Sequence, residues 1–148
     1  MLYHGTDTSP SKILITGLKP INVRRTICHV EKKYSLYGQL KYEFEERISE
    51  YVRAKLEHLF VYLTDDINEA VHYSEYGSNF VGLLEIEACS LLGKIWKPNK
   101  AGYVYFVDLI GDGEVKVPYV HPMLIVGWMR VDFGFSKKEL RCYTYFNE

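Results

Sequence analysis

The sequence predicts an α+β fold, in which a single domain over residues 1–148 has a mostly antiparallel, split sheet with flanking helices. Two observations lead to this prediction. Short apolar runs bounded by turn residues outnumber helical patterns after residue 60. In addition, a short strand leads through polar residues into a capped helix at two separate places in the chain. The length suits one domain with a substantial core.

The N-terminal segment LYHGTDTSPSKILITGLKP contains the first of these strand-to-helix patterns. Met1–His4 is predicted as a strand and residues 5–8 as a turn. Ser9 suits the N-cap of the helix that follows, because Pro10 then occupies the first helical position, where no backbone N–H is needed. Gly17 is expected to end this helix.

The middle of the chain carries the second pattern. Gln39–Leu59 has apolar residues at helical spacing and is predicted as the longest helix, whereas residues 21–34 show no clear period. The run Phe60–Leu63 is predicted as a strand. A helix is expected to begin after it at Asp66, with Glu69 three residues later in the relation of a capping box.

The rest of the chain is predicted to be dominated by strands, because its apolar runs are short and partly alternating. The predicted strands cover Phe80–Ala88, Tyr103–Leu109, Glu114–Val117, Ile125–Phe133 and Leu140–Phe146.

Composition and charge exclude some classes of function. The net charge is -1, so the chain as a whole has no electrostatic attraction for nucleic acid or for a membrane surface. No apolar run could span a bilayer, and Asp7 interrupts any signal-peptide pattern. The scattered Cys28, Cys89 and Cys142 are typical of reduced thiols, so we expect a soluble cytoplasmic protein. Neither cysteines nor histidines show metal-ligand spacing, so no metal is expected.

His4 ends the first predicted strand and has two interpretations. A histidine at a strand end is commonly a structural residue that is hydrogen-bonded to backbone. Gly5, however, would admit a ligand close to the backbone, and Thr6 would place a hydroxyl beside the imidazole. A strand end that opens into a turn is a favourable place to present these groups to a ligand.

Tyr62 and Glu114 have similar pairs of interpretations. Tyr62, in VYLTDD, is either a core aromatic residue or a flat surface for a heteroaromatic ring. Glu114, in GDGEVKVPYVHP, is either a solvated strand residue or a cleft carboxylate. In a cleft, a carboxylate can orient a sugar hydroxyl and stabilise an oxocarbenium-like transition state.

Taken in order, the motifs YHGT, GLKP, VYLTDD and EVKVP…HP resemble the ADP-ribosyltransferase superfamily. The likeness is greatest to its diphtheria-toxin-like branch with a His-Tyr-Glu triad, which includes the poly-ADP-ribose polymerases and the tRNA 2'-phosphotransferases. The first motif is the most specific. The third is the least specific, because a glutamate before an apolar strand is common.

The resemblance implies an NAD-dependent ADP-ribosyltransferase, a glycosyltransferase that releases nicotinamide and needs no metal. His4 would bond the ribose of the adenosine half of NAD, and the Gly5 backbone would hold the nicotinamide carboxamide. Tyr62 would stack on the nicotinamide ring, and Thr64 would line its pocket. Glu114 would bond the 2'-hydroxyl of the nicotinamide ribose and stabilise the developing cation.

The partners follow from the same resemblance. NAD is the expected substrate, with Thr6 beside His4 in the binding set, and the acceptor is a macromolecule, with protein favoured over nucleic acid. A small transferase of this kind suits a toxin, an effector or a phage-encoded modifier of proteins in a host cell. The loops around residues 21–38 and 98–113 are expected to choose the acceptor.

Two other functions are also compatible with the sequence. The first is a binding module on the same fold that holds NAD, ADP-ribose or a partner protein without catalysis. The second is an RNA 2'-phosphotransferase, for which Arg24, Arg25 and His29 would supply part of a phosphate pocket.

The 39–59 helix departs from the family pattern as a lengthened element. A Rossmann-type site is excluded, because the Gly111-Asp112-Gly113 turn lacks a third glycine and a surrounding βαβ unit.

Overall fold

The computed structural model describes residues 1–53, 60–76, 79–97, 101–133 and 141–146. In this part of the chain one antiparallel sheet runs in the order β4-β2-β1-β3-β5-β6. Its strands are β1 Leu2–Thr6, β2 Val61–Thr64, β3 Ala101–Val107, β4 Glu114–Val117, β5 Ile125–Asp132 and β6 Arg141–Phe146. The predicted α+β class and antiparallel sheet are confirmed.

Helices pack on both faces of this sheet. They are α1 Pro10–Thr16, α2 Val23–Lys33, α3 Gln39–Arg53, α4 Ile67–Tyr76 and α5 Asn79–Leu91, with a 3-10 turn at Pro122–Leu124. The predicted start of the long helix at Gln39 is confirmed, and residues 54–59 of that prediction lie outside the described residues.

The strand predicted over Phe80–Ala88 is wrong, because this segment lies within helix α5. Phe80, Leu84 and Ala88 follow one another at intervals of four residues and are all buried. They pack in one cluster with residues of α2 and α3, among them Val30 and Phe44. A helix with apolar residues on most of its surface has little helical periodicity, which explains its resemblance to a buried strand.

The N-terminal prediction needs a smaller correction. Gly5 and Thr6 are not in a turn but continue strand β1, where they pair with Val104 and Tyr103 of β3. The predicted ends of the following helix are confirmed, since Pro10 begins α1 and Gly17 ends it. Ser9 occupies the N-cap position, but its hydroxyl lies 2.8 Å from that of Ser11 and makes no capping bond. Gly17 adopts a φ of +75°, a conformation that residues with a side chain rarely adopt.

The two faces of the sheet have separate cores. Successive residues of a strand point to opposite faces, and in β3 Tyr105 and Val104 belong to different clusters. Tyr105 packs with Leu2 and with Ile13 of α1, whereas Val104 packs with Ala70 of α4. Helices α1 and α4 therefore lie on opposite faces of the sheet.

Glycines allow α4 to lie very close to the sheet. A Cβ atom at Gly5 would lie 1.8 Å from the carbonyl oxygen of Ala70, and one at Gly102 would lie 2.6 Å from the carbonyl oxygen of Ser74. Both positions therefore require the absence of a side chain. The missing side chain at Gly5 thus makes room for α4, and the approach of a ligand to its backbone stays a prediction.

Candidate functional site

A cleft of about 710 Å³ opens where β1, β2 and β4 meet helices α1, α2 and α4. All six residues that the sequence predicts for the site line this cleft. They are His4, Gly5, Thr6, Tyr62, Thr64 and Glu114. The volume falls in the range of small-molecule and cofactor sites.

His4 lies in a gap between two strands. In the described part of the chain, β1 and β2 are in register at one pair, Tyr3 with Thr64. Beyond this pair, the imidazole of His4 reaches across to β2, and its Nδ1 lies 2.8 Å from the carbonyl oxygen of Tyr62. A carbonyl only accepts hydrogen bonds, so Nδ1 carries the hydrogen. The bond of His4 to backbone is thus confirmed, whereas contact with a ligand in the cleft stays a prediction.

The charge state of His4 follows from its surroundings. Burial lowers the pKa of the imidazole, and the bond to the Tyr62 carbonyl opposes this effect only in part. The ring is therefore neutral at pH 7. With the hydrogen on Nδ1, Nε2 is the acceptor of the ring, which suits a hydroxyl donor.

Thr6 ends β1 and is nearly buried, with 8% of its surface exposed. Its hydroxyl accepts a hydrogen bond from the backbone N–H of Thr8 at 3.3 Å and lies 3.4 Å from the hydroxyl of Thr8. Thr8 is held in turn by Tyr105, whose hydroxyl donates to the Thr8 carbonyl at 2.6 Å. Thr6 thus stabilises the chain where it leaves β1 at the cleft.

Strands β2 and β4 present the polar wall of the cleft. Tyr62 pairs with Lys116, and Thr64 pairs with Glu114. Directly paired residues share a face of the sheet, so these four side chains lie on one face. Leu63 and the valines beside it on both strands point to the opposite face and join the core. Glu114 is exposed and lines the same cleft as His4 and Tyr62, so its carboxylate is accessible to a ligand there.

Lys116 was not predicted as a site residue. Its ammonium nitrogen lies over the Tyr62 ring, 5.5 Å from the ring centroid, in a cation–π arrangement. Its spacing is a signal for this position, because a residue two positions after Glu114 on a strand lies on the same face of the sheet. A ligand ring that stacks on this face of Tyr62 has to displace Lys116.

A hydrogen-bonded network joins β2 to α4 beside Glu114. The hydroxyl of Thr64 donates to Oε2 of Glu69 at 3.2 Å and accepts from the N–H of Asp66 at 3.1 Å. The hydroxyl of Tyr73 donates to Oε1 of Glu69 at 3.1 Å. Thr64, Glu69, Tyr73 and Glu114 all line the cleft.

The capping box predicted for α4 is wrong, because Glu69 does not bond the N–H of Asp66. The N–H of Asp66 is bonded by Thr64, and the carboxylate of Asp66 accepts from the N–H of Asn68 at 2.9 Å. Glu69 instead turns towards Thr64 and Tyr73. Their spacing is a signal for this pair, because residues four apart, such as Glu69 and Tyr73, share a helix face.

Tyr73 is protonated in this setting. Burial raises the pKa of its hydroxyl, and the hydrogen bond to Glu69 and the negative charges of Glu69 and Glu114 raise it further. The Tyr73 hydroxyl is therefore a hydrogen-bond donor to the Glu69 carboxylate.

The α1 and α2 side of the cleft is basic. Lys12 of α1, Arg25 of α2 and Lys19, which lies between these helices, line it. Arg24 and His29, which the sequence grouped with Arg25, are not among the lining residues. Cationic side chains at a cleft wall are suited to phosphate groups.

The described residues contain no candidate metal site and no candidate membrane-spanning helix. No group of three or more histidine, cysteine or acidic side chains in this part of the chain could hold a metal ion. Among the helices that the structure describes, none has the length and apolar character needed to cross a membrane. Comparison with known proteins gave no match either to a protein-family model or to a curated protein.

Proposed function

We propose that the protein is an NAD-dependent ADP-ribosyltransferase, which releases nicotinamide and transfers ADP-ribose to a macromolecular acceptor, with protein favoured over nucleic acid. The observation that carries the proposal is the presence of His4, Tyr62 and Glu114 on the walls of one cleft. These residues are far apart in the sequence, and the motifs around them are the ones that resemble the ADP-ribosyltransferases.

The chemistry of each group supports this assignment. Neutral His4 has its acceptor Nε2 available to a ribose hydroxyl, because Nδ1 donates to the Tyr62 carbonyl. The Tyr62 ring would hold the nicotinamide. Glu114 would bond the 2'-hydroxyl of the adjoining ribose and stabilise the positive charge that develops as the glycosidic bond breaks. Lys12, Lys19 and Arg25 would balance the charge of the diphosphate.

The test compares Glu114→Gln with Asp112→Asn in nicotinamide release from NAD. Asp112 is an exposed carboxylate two residues away that does not line the cleft. We expect the Glu114 variant to lose release by roughly 10²- to 10³-fold, as happens when a group stabilising transition-state charge is removed. The Asp112 variant should keep the parent rate. Equal rates for all three proteins would remove Glu114 from the mechanism.

A second function, RNA 2'-phosphotransfer, is favoured by the basic side of the cleft. It would use Arg25 with Lys12 and Lys19 to hold a 2'-phosphate, without Arg24. The test is incubation with NAD and a 2'-phosphorylated oligoribonucleotide. Loss of the RNA phosphate would favour this function, whereas an intact oligonucleotide together with nicotinamide release would favour ADP-ribosylation. Binding of NAD with neither reaction would point to the non-catalytic module.

A further inference from the structure

We propose that Glu69 is the general base of the transfer and accepts the proton of the acceptor nucleophile. This inference rests on the proposed ADP-ribosyltransferase function and adds a second carboxylate to it. Glu69 lines the same cleft as Glu114, and a hydroxyl donor holds each of its two oxygens.

The carboxylate of Glu69 is fixed in place. Oε2 accepts from Thr64 of β2 at 3.2 Å, and Oε1 accepts from Tyr73 of α4 at 3.1 Å. The side chain is thus held between a strand and a helix instead of rotating in solvent. Each carboxylate oxygen has two lone pairs, so both retain acceptor capacity after these bonds. A group fixed in this way is suited to proton transfer, which needs close and constant geometry.

Thr64 connects Glu69 to Glu114. Its side chain bonds Glu69, and it pairs directly with Glu114 across the β2–β4 ladder. Side chains of directly paired residues lie about 5 Å apart at Cβ. Glu69 and Glu114 are thus both neighbours of Thr64, and both line the cleft.

Glu114 and Glu69 differ in exposure and in hydrogen bonding, which suggests different chemical roles. Glu114 is exposed at the start of a strand and can reach the ribose. Glu69 is half-buried and is bonded to two hydroxyls, one of which belongs to a tyrosine that stays protonated. Glu114 then stabilises the ribose cation, and Glu69 serves the incoming nucleophile.

The proposed transfer breaks one bond at the ribose carbon and forms one. The bond between C1 of the ribose and the ring nitrogen of nicotinamide breaks, and its electron pair leaves with nicotinamide. An oxygen or nitrogen of the acceptor forms the new bond to the same carbon. The hydrogen on that atom passes to the carboxylate of Glu69. Water in place of the acceptor gives NAD hydrolysis by the same step.

The test uses two nucleophiles that differ in their need for a base. Water must lose a proton when it attacks, whereas azide is an anion with none to lose. Nicotinamide release from NAD is measured with and without sodium azide, and ADP-ribosyl azide is identified by mass spectrometry. The proteins are the parent, Glu69→Gln and the control Glu75→Gln, which changes a glutamate of the same helix that does not line the cleft.

We expect Glu69→Gln to lose hydrolysis by roughly 10²- to 10⁴-fold, the usual contribution of a general base. Azide should restore release in this variant, and Glu75→Gln should behave as the parent. Tyr73→Phe keeps the Glu69 carboxylate but removes one of its two bonds, so it should show a smaller loss with water and none with azide. Tyr73→Phe also decides the question if Glu69→Gln fails to fold.

Two results would overturn the role of Glu69 while leaving the proposed function standing. One is parent-level hydrolysis in Glu69→Gln. The other is an equal loss with water and with azide, which would make Glu69 a structural residue or a charge stabiliser. A parent protein that neither binds NAD nor releases nicotinamide would instead contradict the proposed function itself.

Discussion

The imidazole of His4 donates its Nδ1 hydrogen to the carbonyl oxygen of Tyr62 at 2.8 Å, across the gap between β1 and β2. One bond thus connects two residues of the site that are 58 positions apart in the sequence. It fixes the tautomer of the histidine and holds the two strands in place beside the cleft. Removal of the imidazole should therefore affect both ligand binding and the local fold.

The first prediction concerns NAD affinity. His4→Ala removes the Nε2 acceptor, so binding should weaken by about 1–3 kcal/mol, the effect of losing one good polar contact. Calorimetry on the parent and on His72→Ala, an exposed histidine of α4, provides the comparison. Unchanged affinity in His4→Ala would assign the residue a structural role alone.

The second prediction concerns stability in mild acid. The pKa of His4 in the fold lies below its ordinary value of 6.5, so between these two values the unfolded chain binds more protons than the folded one. Stability due to His4 is therefore complete above pH 6.5 and is lost as the pH falls through the folded-state pKa. Urea unfolding from pH 7 down to 5 should show a steeper loss for the parent than for His4→Gln. Parallel curves would contradict this account.

The third prediction concerns the contact between β1 and α4. Gly5→Ala would place a methyl group 1.8 Å from the carbonyl oxygen of Ala70, so the helix must move. We expect a loss of about 1–3 kcal/mol in the free energy of unfolding, the usual cost of overpacking. Gly38→Ala is the control, because it meets open space and experiences only the strain of a positive φ. A Gly5 variant as stable as the parent would disprove the close contact.

The fourth prediction concerns the buried acid Glu31 between α2 and α3. Only 5% of its surface is exposed, and burial, with Glu45 nearby, raises its pKa above the ordinary 4.5. The folded chain then holds its proton more tightly than the unfolded one, so stability falls as the pH rises above 4.5 through the folded-state pKa. Glu31→Gln should gain stability over the parent at pH 7 but not at pH 4, as measured by urea unfolding. An equal difference at both pH values would contradict this cause.

Much of the fold near the site was predictable because its signals are local. Pro10 and Gly17 mark the ends of α1, and strand Glu114–Val117 has the predicted bounds. Helix α5 was not predictable, since its burial against α2 and α3 depends on contacts between distant segments. Helix α2 is also hard to predict, because its packing depends on the same distant segments. Its clearest local signal is Asn22, whose side chain accepts from the N–H of Arg25 at 3.0 Å.

The residues of the site likewise divide into those with local signals and those whose contacts depend on the fold. His4, Tyr62 and Glu114 were predicted from short motifs, and all three line one cleft. Glu69 looked like a helix cap in the sequence, because its bonds to Thr64 and Tyr73 form only when α4 packs beside β2. Lys116 likewise acquires its place over Tyr62 from the pairing of β2 with β4. Motif and spacing identify residues on one element, whereas contacts between elements require the fold.

The proposed function requires that this cleft binds NAD and cleaves its nicotinamide bond. The most direct measurement is calorimetric titration of the protein with NAD, with free nicotinamide determined in the same sample. The account predicts binding accompanied by nicotinamide release, and loss of release in Glu114→Gln. Absence of both NAD binding and nicotinamide release would contradict it.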